Sequence, residues 1–134
     1  MSAYRTHGTV MNCQAVLVKC LQKRFAQVEV HPSPQTLLDW HGKVRPDKAE
    51  IIIRRKFIDS VSNDMGFTKN AQGNFDAIIS DYDAGRHDQK WLNDLAKDYM
   101  EERATELMTD QECEVAERAE LPDGRVQIRY RVTA

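Results

Sequence analysis

A chain of 134 residues with 41% hydrophobic and 30% charged residues has the make-up of an ordinary globular domain, long enough to bury a core without disulfide or metal staples. Four prolines and six glycines, all scattered, exclude a low-complexity linker, and no apolar run approaches the ~20 residues of a membrane helix. A net charge of -2 excludes general attraction to nucleic acid or to an anionic membrane. Residues 1–9 are polar and lack the apolar centre of a signal peptide. The three cysteines, Cys13, Cys20 and Cys113, are odd in number and without C-x-x-C spacing, so buried free thiols in a reducing compartment are expected. The expectation is one cytoplasmic domain over residues 1–134. Charge is uneven along it: residues 1–66 hold 10 basic and 6 acidic side chains, residues 67–134 hold 9 and 15. Such polarity can orient a partner.

Residues 3–11, with Thr and Val, read as a first strand. Asn12 suits an N-cap, and Val16, Leu17, Cys20, Leu21 and Phe25 recur at helical spacing, predicting a helix over 13–26. Residues 28–30 read as a short strand ended by a turn at His31-Pro32-Ser33-Pro34, because a proline biases its predecessor away from helix. Residues 36–41 read as another strand, followed by turns at Gly42 and at Arg45-Pro46-Asp47. Residues 49–58 give the strongest strand signal of this half. Ile51, Ile53 and Phe57 would point one way, with Ile52, Arg54 and Lys56 the other, and three successive isoleucines predict a strand covered on both faces.

A polar loop is expected over 60–65. Residues 66–69 and 74–80 read as a hairpin around Asn70-Ala71-Gln72-Gly73. Residues 81–87 form a loop, and Asp88 is the expected N-cap of a long helix reaching about Thr109. Its apolar stripe is Trp91, Leu92, Leu95, Tyr99, Ala104, Leu107 and Met108. The chain ends in a second hairpin, in which Cys113, Val115, Ala119 and Leu121 face Val126, Ile128, Tyr130 and Val132. Asp123-Gly124 as the centre of a type I′ turn would pair Leu121 with Val126 and Ala119 with Ile128. It would also oppose Arg118 and Arg129, an unfavourable like-charge pair, and Glu117 breaks the apolar alternation. The order predicts an α+β fold: a mainly antiparallel sheet with two helices packed on one face, in a ferredoxin-like or related split β-α-β arrangement.

Met65-Gly66-Phe67, Gly73 in a hairpin, Asp81 after a strand, Trp91, Leu95, Tyr99 and Asp123-Gly124 follow one another in a familiar order. In this ordered pattern the chain resembles the uncharacterised family described as hypothetical chloroplast reading frame thirty-five, also catalogued as domain of unknown function twelve fifty-seven, of plastids, cyanobacteria and other bacteria. Its members carry an aspartate-isoleucine-glycine-phenylalanine turn, where this chain has Asp64-Met65-Gly66-Phe67, and the first strand diverges as well. The resemblance implies a stand-alone domain and no particular activity.

Motifs that carry chemistry are sparse. Asp81-Tyr82-Asp83-Ala84-Gly85 suggests a calcium loop, but Ala84 precedes the glycine and Lys90 stands where the closing glutamate belongs. An acidic turn entering a helix explains it better. Asp81, Asp83 and His87 are the candidate loop site, for a small molecule or for acid-base work if buried. His7, His31, His41 and His87 are too dispersed for a zinc motif, and no nucleophile elbow or phosphate-binding loop is present. No cofactor and no metal are expected, and the balance points away from an enzyme. Arg54, Lys56, Arg129 and Arg131 form the candidate binding surface if their strand faces coincide. That surface would suit single-stranded nucleic acid only with exposed aromatics, and Phe57, Phe67, Phe75 and Tyr130 fall on apparent core faces. The favoured reading is a protein-binding or oligomerising module, pairing with itself as a homodimer or with another protein through the exposed last strand. No membrane partner is expected.

Overall fold

The computed structural model describes residues 3–58, 62–83 and 85–133. Strands β1 (Tyr4–His7), β2 (Glu29–Leu38), β3 (Val44–Ile53), β4 (Met65–Lys69) and β5 (Phe75–Ser80) form one sheet in the order β1-β5-β4-β3-β2, every neighbouring pair antiparallel. Helix α1 (Gln14–Gln22) joins β1 to β2. These strands occupy opposite edges and, four antiparallel steps apart, run in the same direction, so β1-α1-β2 is a split β-α-β unit around a meander. Helix α2 (Gln89–Asp110) follows, and strands β6 (Cys113–Glu120) and β7 (Val126–Val132) close the chain. The α+β class, the antiparallel sheet and the two helices on one face are as expected. The last hairpin, however, is a separate two-stranded sheet. Among the described residues no helix is long and apolar enough to cross a membrane.

The main core lies between the sheet and the helices. Ile51 pairs with Phe67 and Phe67 with Ala77, and with Ile53, Met65, Phe75 and Ile79 they meet Val16, Leu17, Cys20 and Leu21 of α1 and Leu92, Leu95 and Tyr99 of α2. Asn12 does not cap α1. Its cap residue is Cys13, and the Tyr99 hydroxyl of α2 accepts from the N–H groups of Asn12 and Cys13, at 3.2 and 2.9 Å, satisfying a donor the helix start leaves over and the one just before it. Lys19, Lys23 and Arg24 bind Asp98 and Glu102 across the α1–α2 seam at 2.6–3.0 Å. Asp88 caps α2 as expected, its carboxylate accepting from Trp91 N–H at 2.9 Å.

The second sheet face is covered by the chain itself. Residues 29–53 are one long hairpin, not short strands separated by proline turns. Pro32 and Pro34 sit inside β2, which is an edge strand whose register slips between Val30 and Gln35, the two circumstances in which a sheet accepts proline. Bent at these irregularities, the far half of the hairpin folds back as an arm, and Leu37 and Ala49 pack on Ile52 and Ile78. Gly66 makes the approach possible: a Cβ there would stand 2.7 Å from the Ala49 Cβ. β3 begins at Val44, so Arg45-Pro46-Asp47 is strand, and it ends at Ile53. A one-turn 3-10 helix at Arg55–Phe57 replaces the expected strand end. Of the expected polar loop, residues 60 and 61 lie outside the described residues, while Ser62, Asn63 and Asp64 are buried.

Three hairpins share one corner. In the last, Leu121 N–H bonds the Arg125 carbonyl and Gly124 N–H bonds the Leu121 carbonyl, with Gly124 at φ 87°. This is a three-residue loop with a left-handed glycine rather than a type I′ turn, and Gly42 and Gly73 occupy the same place in theirs. The extra loop residue moves the register by one. Ile128 faces Arg118, and Glu117 faces Arg129, the pair of opposite charge replacing the expected clash. A bulge between Val115 and Glu117 changes the phase of β6, which accounts for Glu117.

Candidate functional site

Arg54, the first residue of the expected basic surface, is committed to the fold. Asp64 is 2% exposed, and its carboxylate accepts from Leu38 N–H at 2.9 Å, Arg55 N–H at 2.8 Å and the Arg54 guanidinium at 2.8 Å. Arg54 also binds both oxygens of Glu29, at 2.7 and 3.0 Å, and Glu29 meets the His31 ring nitrogen at 2.9 Å. The Arg54 hydrogen bonds hold the Glu29 carboxyl below its usual range, while partial burial works the other way. Asn63 accepts from Trp40 N–H at 3.0 Å. Asp64 and Asn63 therefore clamp the arm onto the sheet, Gly66 gives it room and Phe67 fills the core, a physical reading of the Asp64-Met65-Gly66-Phe67 stretch.

Lys56 is exposed, its ammonium 4.9 Å from the Phe57 ring centre. It borders a depression of about 240 Å³ with Arg54, Arg55, Asp39 and Asp64. Burial would raise the Asp39 carboxyl, but hydrogen bonds from the Lys43 and His41 N–H groups prevail and hold it below the usual value. Cations and carboxylates so balanced give this depression no strong sign.

The loop candidates diverge. Asp81 turns outwards and forms an ion pair with Arg5 of β1. Asp83 is 1% exposed, accepts from the Ser62 hydroxyl and binds Arg86 at 2.7 Å, with His87 Nδ1 4.0 Å away. The His87 ring packs against Phe25 and Trp91 at 5.7 and 4.8 Å. Burial keeps it below the usual histidine value, a shift that nearby Asp83 opposes. A depression of about 230 Å³ brings His7 and His87 together with Arg5, Ser80 and Asp88; His31 and His41 lie elsewhere. Among the described residues no three His, Cys, Asp or Glu side chains are placed to hold a metal ion.

Arg129 and Arg131 belong to the separate hairpin sheet, so the structure does not unite them with Arg54 and Lys56 in one surface. They stand on its outer face, bound to Glu117 at 3.8 Å and Glu114 at 2.5 Å. The opposite face leans on α2, where Arg118 binds Glu101 at 2.5 Å and Val126, Ile128 and Tyr130 are half-buried. The expected α2 stripe is buried only as far as Tyr99; Leu107 is 44% exposed and Met100 is exposed too. Beyond Tyr99 the helix supports the hairpin instead of the sheet. Phe67 and Phe75 are buried, as their strand positions predict.

β7 has β6 on one side and no strand on the other among the described residues. The alternation of its residues shows a strand, and the separation from the main sheet is what the sequence hides. Its trace there is the thinning of apolar residues in α2 after Tyr99.

No curated protein and no solved structure matches the chain. The family model described as Protein of unknown function (DUF1257) matches residues 20–129, from the last turn of α1 to Arg129 of β7, and the chain belongs to that family.

Proposed function

We propose that this protein is a non-catalytic, single-domain protein-binding module that captures an extended segment of its partner along β7. The observation that carries the reading is the β6–β7 hairpin, which stands as a sheet of its own. Two strands alone are marginal in water without a helix or a third strand. Here α2 supports one face, and β7 offers a long open edge of the kind to which a partner strand adds. Elsewhere the polar groups serve the fold: Arg54 ties Glu29 to Asp64, and Asp83 is held by Ser62 and Arg86. Cys13, Cys20 and Cys113 are free thiols, which suits the reducing cytoplasm.

The test follows backbone amide exchange by NMR in the presence of short extended peptides that alternate valine with serine, lysine or glutamate. At least one is expected to slow exchange at Val126, Ile128, Tyr130 and Val132 while leaving the short edge strand β1 unchanged. Unchanged exchange along β7 with all three peptides sinks the reading.

A further inference from the structure

The open edge of β7 has a defined chemistry. Leu121 N–H bonds the Arg125 carbonyl at 2.8 Å and Thr133 N–H bonds the Glu112 carbonyl at 2.7 Å. In an antiparallel ladder, residues that bond the neighbouring strand alternate with residues that bond away from it. Arg125, Gln127, Arg129, Arg131 and Thr133 therefore turn their backbone groups towards β6. Val126, Ile128, Tyr130 and Val132 turn theirs outwards, a row of alternating donors and acceptors ready for another strand.

The side chains add a second pattern. Arg129 and Arg131 are 70% and 64% exposed, and β6 already answers each with a glutamate, Glu117 and Glu114. On the open side no strand among the described residues supplies a carboxylate. An incoming antiparallel strand meets both arginines at its non-hydrogen-bonded positions, where directly opposite residues approach most closely, at Cα distances of ~4.5 Å. Opposite charges there stabilise and like charges destabilise. On the helix side, Ile128 and Tyr130 alternate with these arginines, Val132 is 71% exposed and Leu107 of α2 lies open, so apolar partner residues have a surface to extend.

Two-fold pairing with a second copy fits badly. Two-fold antiparallel pairing of β7 with itself, with both supporting helices on one side, can centre on any residue from Gln127 to Arg131. Taken in that order, the registers oppose Arg125 to Arg129, Arg125 to Arg131, Arg129 to its own copy, Arg129 to Arg131, and Arg131 to its own copy. Every register sets arginine against arginine. Pairing β6 with its own copy would likewise bring together the glutamates of its outer face, Glu114 and Glu117.

We propose that the open edge of β7 takes an acidic strand of another protein, alternating carboxylates with β-branched or aromatic residues, and rejects two-fold pairing with a second copy of this chain. The proposal rests on the strand-addition reading above and adds the partner's chemistry. Two new charge pairs correspond to roughly tenfold in affinity. The glutamate–valine peptide is therefore expected to bind about tenfold tighter than the serine–valine peptide at low salt, with the lysine–valine peptide weakest. The advantage should fade as salt approaches 1 M, where the screening length falls to about 3 Å.

The decisive variant exchanges the charges of the two strands: Glu114→Arg, Glu117→Arg, Arg129→Glu and Arg131→Glu together. Pairing inside the hairpin is kept, and the preference should invert to the lysine peptide. Arg129→Gln with Arg131→Gln is the milder second variant, expected to lose the preference while circular dichroism stays unchanged. Equal binding of the serine and glutamate peptides to the native protein overturns the charge assignment and leaves strand addition standing. So does a glutamate preference that survives the exchange. Concentration-dependent protection of β7 without peptide, with a dimer by light scattering, overturns the rejection of a second copy. Protection by no peptide removes strand addition itself, and this proposal with it.

Discussion

Gly66→Ala tests the clamp that positions the arm. A Cβ at residue 66 would stand 2.7 Å from the Ala49 Cβ and 3.1 and 3.2 Å from the two δ-methyl groups of Leu37. Overpacking of a close-packed interior costs about 1–3 kcal/mol. Leu37 can turn its methyl groups, but the Ala49 methyl has no alternative rotamer, so the backbones of β3 and β4 must separate. Replacing a strand glycine by alanine returns about 0.5–1 kcal/mol through reduced freedom of the unfolded chain. The net loss is ~0.5–2 kcal/mol, or a fall in melting temperature of ~2–8 °C for a domain of this size. Thermal denaturation followed by circular dichroism reads it directly. Ala49→Gly in the Gly66→Ala background should restore the space, making the double variant more stable than the two single effects predict by ~1 kcal/mol. A Gly66→Ala protein that melts at or above the native temperature, or a pair of substitutions whose effects simply add, would refute the packing of the arm on Gly66.

Three other expectations concern separate places. Cys20 is fully buried, and burial, with Asp98 and Glu102 nearby, pushes its thiol up to about 11, so at pH 8 iodoacetamide should modify Cys13 and Cys113 well before it; mass spectrometry of the labelled peptides shows the order. Glu112 ends α2 with φ 61°, a left-handed position that costs a side chain ~1 kcal/mol, so Glu112→Gly should raise stability by up to that amount in urea denaturation. Acid should act in two stages. His87 sits below its usual 6.5 in the folded protein, so the stability it supports is complete above that pH and falls as pH drops from there. Glu29 and Asp98, held below their usual 4.5 and 3.8, add a further loss as pH falls through and below those values. His87→Phe, which keeps an aromatic ring between Phe25 and Trp91, should remove the first stage alone; a denaturation series across pH that keeps it in the variant contradicts the assignment.

The elements with strong local signals were legible in the residues. Leu17, Cys20 and Leu21 mark α1, Ile51, Ile52 and Ile53 mark a strand buried on both faces, and Asp88 is a cap that works as its position suggests. What escaped depends on contacts distant in sequence. Pro32 and Pro34 signal a break unless an edge strand and a slipped register accommodate them. Asn12 is outdone as a cap by the hydroxyl of Tyr99, 87 residues on. The single extra residue in the Leu121–Arg125 corner turns an Arg118–Arg129 clash into an Arg129–Glu117 pair, and no alternation rule separates the two registers beforehand. Of the candidate site residues, Arg129 and Arg131 lie where the proposed surface lies, while Arg54 and Asp83 are spent inside the protein because buried carboxylates and guanidiniums need partners. The open edge itself is a backbone property and leaves only a faint mark on side-chain patterns.

The split arrangement of β1 also sets the order in which the molecule can assemble. Within the meander from β2 to β5, the β2–β3 and β4–β5 hairpins close through tight three-residue corners and β3 joins β4 across residues 54–64, contacts that form early because little chain must be immobilised. β1 has no such neighbour. Tyr4 pairs with Ser80, so β1 must wait for 76 further residues, ~4–15 s at usual synthesis rates. Until then α1 lacks both Tyr99 at its start and the sheet beneath it. The stretch from β1 to α1 is thus the part whose stability depends most on residues made long after it.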